Sequence, residues 1–177
     1  VQSLGAGETL ADTVTVTSVD GTAQDITITI TGTNDLPVIN GELSGSVTEN
    51  KVLTASGQLA ITDEDADESL FSAATVSAKH GSLTIDAGGA WTYEVDNDLP
   101  EVQGLGEGET LPDTVTVTSL DGTTQEIEIT ITGTNDVPFI SGELSGSVIE
   151  DDALTASGQL DIADDDTGEA FFEAATI

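Results

Sequence analysis

The side chains of this chain that can do chemistry are carboxylates, and they come in bunches. Asp63-Glu64-Asp65-Ala66-Asp67-Glu68 is one cluster, and Asp164-Asp165-Asp166-Thr167-Gly168-Glu169 is its counterpart 101 residues later. Asp96-Asn97-Asp98, Glu49-Asn50 and Glu150-Asp151-Asp152 are further groups. Glu8 and Asp12, with copies Glu109 and Asp113, precede a strand-like run; Asn34-Asp35 and Asn135-Asp136 sit in turn-like stretches. Carboxylate and amide oxygens are the ligands that a hard cation such as Ca²⁺ takes, six to eight at a time. An Asp63-x-Asp65-x-Asp67 spacing in a turn aims several carboxylates at one point without a helix. It is not an EF-hand, because the glycine at the sixth loop position and the closing glutamate at the twelfth are missing. Isolated acids on strand faces, such as Glu126 and Glu128, read as solvated side chains.

The elements that must position these acids are legible as a repeat. The stretches beginning at Val1 and at Val102 match at 30 of 39 positions, and GELSGSV recurs at Gly41 and Gly142, all with an offset of 101 residues. That period is too long for a solenoid unit and is the size of one immunoglobulin-like sandwich. Thr13–Thr17 and Thr114–Thr118 alternate Thr with Val, and Ile26, Ile28, Ile30 and Ile127, Ile129, Ile131 alternate with polar residues. Alternation of this kind predicts half-buried strands. Asp20-Gly21 and Asp121-Gly122 between the runs predict hairpins. A further hairpin is expected from Ser82–Asp86 to Ala90–Val95, with strands over 43–48, 53–62 and 74–78 and at most a short helical turn near Pro100–Leu105. The fold class is therefore all-β, with tandem immunoglobulin-like sandwiches of about 100 residues and about seven strands in the central one.

The expected core is Val47, Leu53, Leu59, Ile61, Val76, Leu83, Ile85, Trp91, Tyr93, Val95, Leu105, Val115, Val117, Ile127, Ile129 and Ile131. Trp91, the single tryptophan, reads as a core anchor. The Gly-Thr-Asn-Asp-x-Pro turns at Gly32–Pro37 and Gly133–Pro138 read as junctions, since proline ends a ladder. The chain then divides into closing strands of one repeat (1–39), a whole repeat (40–140) and opening strands of a third (141–177). A permuted register, 1–101 and 102–177, fits the period equally well. The end pieces lack a counterpart of 78–101, so they do not sum to a full repeat; their bare edges invite pairing with strands of neighbouring molecules.

In an aligned array, strand-end loops of one sandwich meet the linker and first loop of the next. Glu8, Asp12, Asn34 and Asp35 would thus face Glu49, Asp63, Asp65 and Asp67. Glu109, Asp113, Asn135 and Asp136 would face Glu150, Asp164 and Asp166. Crowded carboxylates repel and raise one another's pKa, and a divalent ion removes that cost. At free ion about 100 times its dissociation constant, each site would add roughly 2.7 kcal/mol to the folded state.

Composition closes other routes. With 34 acids against two basic residues and a formal charge of −32, the chain has almost nothing to neutralise nucleic-acid phosphate or an anionic bilayer. No apolar run approaches a membrane span, and no export leader is legible at Val1. Cysteine is absent, so no disulfide holds the fold. Catalysis finds little support. His80, the one histidine, lies between Lys79 and Gly81 and reads as a solvated turn residue. No cysteine nucleophile, zinc-type ligand set or phosphate loop is present; carboxylate pairs of the glycosidase kind are available by residue type. Carboxylates recurring every 101 residues argue for a structural task, and the chain is read as no enzyme.

The string GETLxDTVTVTSxDGTxQxIxITITGTNDxP, with GSVTE, LTASGQLxIxDxD and GAWTYEVDN, resembles the VCBS repeat family, over essentially the whole chain. The resemblance implies a cadherin-like sandwich in a secreted RTX-type bacterial surface adhesin, where it serves as an extender in adhesion and biofilm formation. It also implies calcium shared between adjacent repeats of one chain. Asn34-Asp35-Leu36-Pro37, Glu49 and Asp63-Glu64-Asp65 match the cadherin linker pattern by position. Cadherins carry a further linker acid where Thr31 stands, and Gly168 replaces Asp67 in the third repeat. Two other roles fit the same residues. One is a calcium-dependent carbohydrate- or protein-binding module, which would need Trp91 or Tyr93 exposed. The other is an accessory domain of a secreted enzyme.

Overall fold

In the computed structural model, residues 1–174 are described; Ala175–Ile177, the last of the expected third piece, lie outside them. Strands β1 (Thr9–Thr17) and β2 (Ala23–Thr31) form an antiparallel hairpin. The central unit contains β3 (Val38–Gly41), β4 (Ser44–Thr48), β5 (Thr54–Thr62), β6 (Ala74–Ser77), β7 (Gly81–Ile85) and β8 (Ala90–Val95). It continues through the single turn α1 (Pro100–Gln103) to β9 (Thr110–Thr118) and β10 (Thr124–Thr132). Strands β11 (Phe139–Gly142) and β12 (Leu160–Ala163) follow and pair with each other. The all-β class holds.

Two sheets make the central sandwich. One has the order β3-β5-β8-β7-β6 and the other β4-β10-β9. All pairings are antiparallel except β4 with β10, which run parallel from Ser44–Glu128 to Thr48–Thr132. The opening strand is thus split between the sheets. Gly41, at φ 113°, makes the switch, and a Cβ there would stand 2.4 Å from the Gln58 carbonyl oxygen. A backbone in this region at such close approach selects glycine. Strand β3 and its copy β11 are the elements absent from the sequence reading: they follow Pro37 and Pro138 directly, inside stretches dominated by turn residues.

Period-two alternation decides the core. In β8, Trp91, Tyr93 and Val95 point inward; in β9 and β10, Val115, Val117, Ile127, Ile129 and Ile131 meet them from the other sheet. Trp91 is buried and its indole N–H donates to the Glu42 carbonyl at 2.9 Å. Ile61, Val76 and Leu105 pack against the cluster half-buried. Leu53 departs from expectation: it is 37% exposed, because it lies ahead of β5, just after the Thr48–Val52 turn. Phe71 and Val102 are core residues that alternation does not reveal; each lies outside a strand.

His80 corrects its reading as a solvated residue. It is 1% exposed. Its backbone N–H donates to Asp113 Oδ2 at 2.9 Å, and its ring Nε2 lies 3.1 Å from Glu101 Oε2. Only Nε2 of the ring is bonded, to Glu101; Nδ1 is buried without a hydrogen-bond partner, 3.8 Å from Asp113 Oδ2. Asp113 accepts from the Tyr93 hydroxyl at 2.8 Å as well. Burial first, then that bond to a carboxylate, pushes the Tyr93 phenol far up.

Candidate cation centre at the repeat junction

The junctions are built the same way twice. The Asp35 backbone N–H donates to Asp65 Oδ2 at 2.7 Å, and that of Asp136 to Asp166 Oδ2 at 2.8 Å. The Asp65 and Asp166 amides donate to Asp63 Oδ1 and Asp164 Oδ1, at 2.9 and 3.1 Å. Each acidic loop also docks on the preceding repeat. Ala66 N–H donates to the Ser3 carbonyl at 3.3 Å and Thr167 N–H to the Gly104 carbonyl at 3.1 Å. Each bond has its counterpart 101 residues on, so the geometry repeats with the sequence.

At the second junction three carboxylates converge. Glu49, Asp136 and Asp166 place one oxygen each within 4.8 Å of one another. Glu49 and Asp166 are 0% and 2% exposed; Asp136 is half-buried. Glu49 Oε2, Asp136 Oδ2 and Asp166 Oδ1 are buried without a hydrogen-bond partner. Buried acceptors are normally satisfied, and an orphan calls for an explanation. Burial foremost raises the Glu49 pKa, with Asp136 and Asp166 adding repulsion. Burial likewise raises that of Asp136, with Asp166, Asp165 and Asp164 behind it. Oxygens bound about 2.4 Å from a common Ca²⁺ stand no more than about 4.8 Å apart, so the trio fits a hard divalent ion. Glu49, Asp136 and Asp166 would be its carboxylate ligands.

Glu49 therefore belongs to a different junction from the one expected. It does not face Asp63, Asp65 and Asp67. Because β4 runs parallel to β10, both strands end at the same pole of the sandwich. Glu49 follows directly: its N–H donates to the Thr132 carbonyl at 3.0 Å, and its Oε1 accepts from Thr134 N–H at 2.8 Å. It thus points at the outgoing linker. Glu150, at the same place in the third repeat, lies on an exposed turn and is no part of the trio. No residue of 1–39 corresponds to Glu49. At the first junction Asp35 and Asp65 stand ready without it, and Asp63 Oδ2 and Asp65 Oδ1 are buried and unpartnered.

Other expected ligands lie elsewhere. Asp12 and Asp113 are inside β1 and β9, not in turns before them. Asp113 is turned into the sandwich, on Tyr93, His80 and Lys79 N–H. Asp12 is exposed. Glu8 and Glu109 fold back on their own loops, accepting from Gly5 and Gly106 N–H at 3.1 and 3.2 Å. Asn34 and Asn135 donate to the next residue's carbonyl, at 2.7 and 2.5 Å. Asp67 sits exposed at φ 65°, and Gly168 takes φ 85° at the same place. That position demands a left-handed backbone, which Asp and Gly both supply.

Glu68 and Glu169 went unread as site residues. Their carboxylates stand 2.7 and 3.2 Å from where a Cβ would be on Gly5 and Gly106 of the preceding repeat. Burial, then Asp65 and Asp63, raises the Glu68 pKa. Their shared offset from each acidic loop was the available signal.

Residues 34–133 match the model of the bacterial cadherin-like domain. The chain belongs to that family. No curated protein sequence matches it. Among solved structures, the bacterial cadherin-like chain is similar to one described as PcdhgB3 EC1-4. That match has 13% identity and a TM-score of 0.45, over 93% of this chain and 57% of that one. It is also similar to a Ca²⁺-stabilized adhesin that helps an Antarctic bacterium reach out and bind ice, with 17% identity and a TM-score of 0.26, over 81% of this chain and 36% of that one. The chain thus spans less than two thirds of either. No helix among the described residues is long and apolar enough to cross a membrane.

Proposed function

We propose that the chain is an extender segment of a secreted bacterial surface adhesin whose adjacent repeats are locked by Ca²⁺ at their junctions. In this reading residues 40–140 are one whole repeat, and the finer assignment is to VCBS repeats of RTX-type adhesins. The observation that carries it is the trio of Glu49, Asp136 and Asp166, with three buried oxygens that no protein donor satisfies. One ligand comes from the sandwich body, one from the linker and one from the next repeat. An ion bound there restrains the angle between repeats. Family membership over 34–133 supports the extender role.

The burial of Trp91 and Tyr93 weighs against a binding module that stacks a ligand on them. The test is calcium titration by calorimetry with small-angle scattering. Heat of binding, and a radius-of-gyration distribution that narrows with calcium and widens with chelator, are expected. Scattering and melting temperature unchanged by chelation would overturn the proposal.

A further inference from the structure

The Asp136 carboxylate divides its work between two oxygens. Oδ2 is the buried, unpartnered atom. Oδ1 accepts from Asn50 Nδ2 at 3.2 Å. Asn50 is itself held on three sides. Its Oδ1 accepts from Asn97 Nδ2 at 2.8 Å and from Gln103 Nε2 at 3.2 Å, and its N–H donates to Asn97 Oδ1 at 3.0 Å. Its backbone has φ 55°, a region that asparagine tolerates better than most residues. The segment holding it, 96–104, reaches the next repeat through the Thr167–Gly104 bond.

We infer that Asn50 is a positioning residue for the junction cation: it fixes the Asp136 carboxylate so that the free oxygen joins Glu49 and Asp166, and it ties occupancy of that site to the order of the β8–α1 segment. This rests on the calcium reading above. Groups that orient metal ligands from behind commonly change affinity by about 10–100-fold. The third repeat has Asp151 at the equivalent place, with φ 63°. A carboxylate there keeps the backbone but has no hydrogen to donate when ionised.

The test uses the full chain and calcium alone, followed by NMR at the backbone amides of Asp136 and Asp166. Asn50→Gly keeps the left-handed backbone and deletes the side chain. It should weaken calcium at these amides about tenfold or more. Amide exchange over 97–104 should then no longer slow at a calcium level that saturates the wild type, and the fall in melting temperature should be larger with calcium than in calcium-free buffer, where only the side-chain bonds to Asp136, Asn97 and Gln103 are lost. Asn50→Asp separates positioning from charge. Positioning requires weaker binding, whereas simple attraction for the added charge requires tighter binding. A wild type that binds calcium while Asn50→Gly binds it equally well, or an Asn50→Asp that binds more tightly, overturns the inference alone. A wild type with no calcium-dependent shift overturns the calcium reading and this inference with it.

Discussion

Glu49→Gln should act in opposite directions with and without calcium. Glutamine has the same shape. Its Oε1 can still accept from Thr134 N–H, now at 2.8 Å from Glu49 Oε1. Its amide nitrogen would replace an unpartnered oxygen with a donor beside Asp136 and Asp166. Two like charges 4.8 Å apart repel by about 3.5 kcal/mol at an effective dielectric of about 20. Glu49 has two such neighbours. Proton uptake caps the penalty: neutralising an ordinary glutamate at pH 7 costs about 3.7 kcal/mol, and solvent at half-buried Asp136 lowers it further. A gain of about 1–3 kcal/mol is therefore expected for the calcium-free variant, or about 5–15 °C in a repeat of about 100 residues. With calcium the sign reverses, because one of three carboxylate ligands is gone and the stabilisation by bound ion shrinks. The assay is thermal unfolding of wild type and variant in calcium-free and calcium-saturated buffer. A Glu49→Gln that loses stability equally in both would show the glutamate to be an ordinary structural acceptor, and the cation centre would fail.

Four other outcomes follow from the geometry. Tyr93→Phe removes the hydroxyl donor from buried Asp113 and should lower stability by about 1–3 kcal/mol, read as a fall in denaturant midpoint without a change in slope. Gly57→Ala would set a methyl 2.6 Å from Trp91 Cζ2; overpacking of about 1–3 kcal/mol and an altered tryptophan emission are expected, and wild-type emission with wild-type stability would contradict the packing. Gly168→Asp should leave calcium affinity at the second junction unchanged, because Asp67 already adopts this backbone in an exposed position; tighter binding would make that position a ligand. Without calcium, the raised pKa values of Glu49, Asp136 and Glu68 mean that the folded state holds protons which the unfolded state releases. Stability from these groups should therefore rise as pH falls from neutral through the raised values, the gain being complete in the ordinary carboxylate range. Glu101, lowered mainly by its bond to Lys79, opposes only below that range. Melting temperature against pH in calcium-free buffer checks the sign.

Strands were legible where side chains alternate. Thr114–Thr118 and Ile127–Ile131 carry a period-two pattern and an Asp-Gly turn, and both lie in the strands so expected. Burial was legible only where a partner exists. Val14, Val16, Ile26 and Ile28 repeat Val115, Val117, Ile127 and Ile129, yet they are 45–48% exposed against at most 1%, since only the second set meets another sheet. Phe71, Val102 and His80 escaped because burial outside a strand, in a loop or a single helical turn, leaves no period to read. The acid clusters were legible as clusters. Their pairing was not, because the register of Glu49 depends on β4 running parallel to β10, and a parallel pairing leaves no local mark in the sequence.

The same parallel pairing explains how a chain of charge −32 gathers carboxylates where they repel most. A strand that crosses from one sheet to the other and then runs beside the last strand brings the start of a repeat to its end. Glu49 and Asp136 are 87 positions apart in the sequence, yet they meet at one pole, and the following repeat supplies Asp166 there. An ion seated among them would join the β4–β10 pole of the sandwich to the acidic loop of the next repeat, whose one backbone–backbone bond to the sandwich, among the described residues, is that of Thr167 to Gly104. Its removal leaves the repulsion and takes away the restraint. On the proposed reading, rigidity between repeats would be set by cation concentration and not by the apolar core, which lies within the central sandwich. Chelation should accordingly loosen the junction at concentrations that leave Trp91 buried, and loss of both together would place the ion's role in the fold itself.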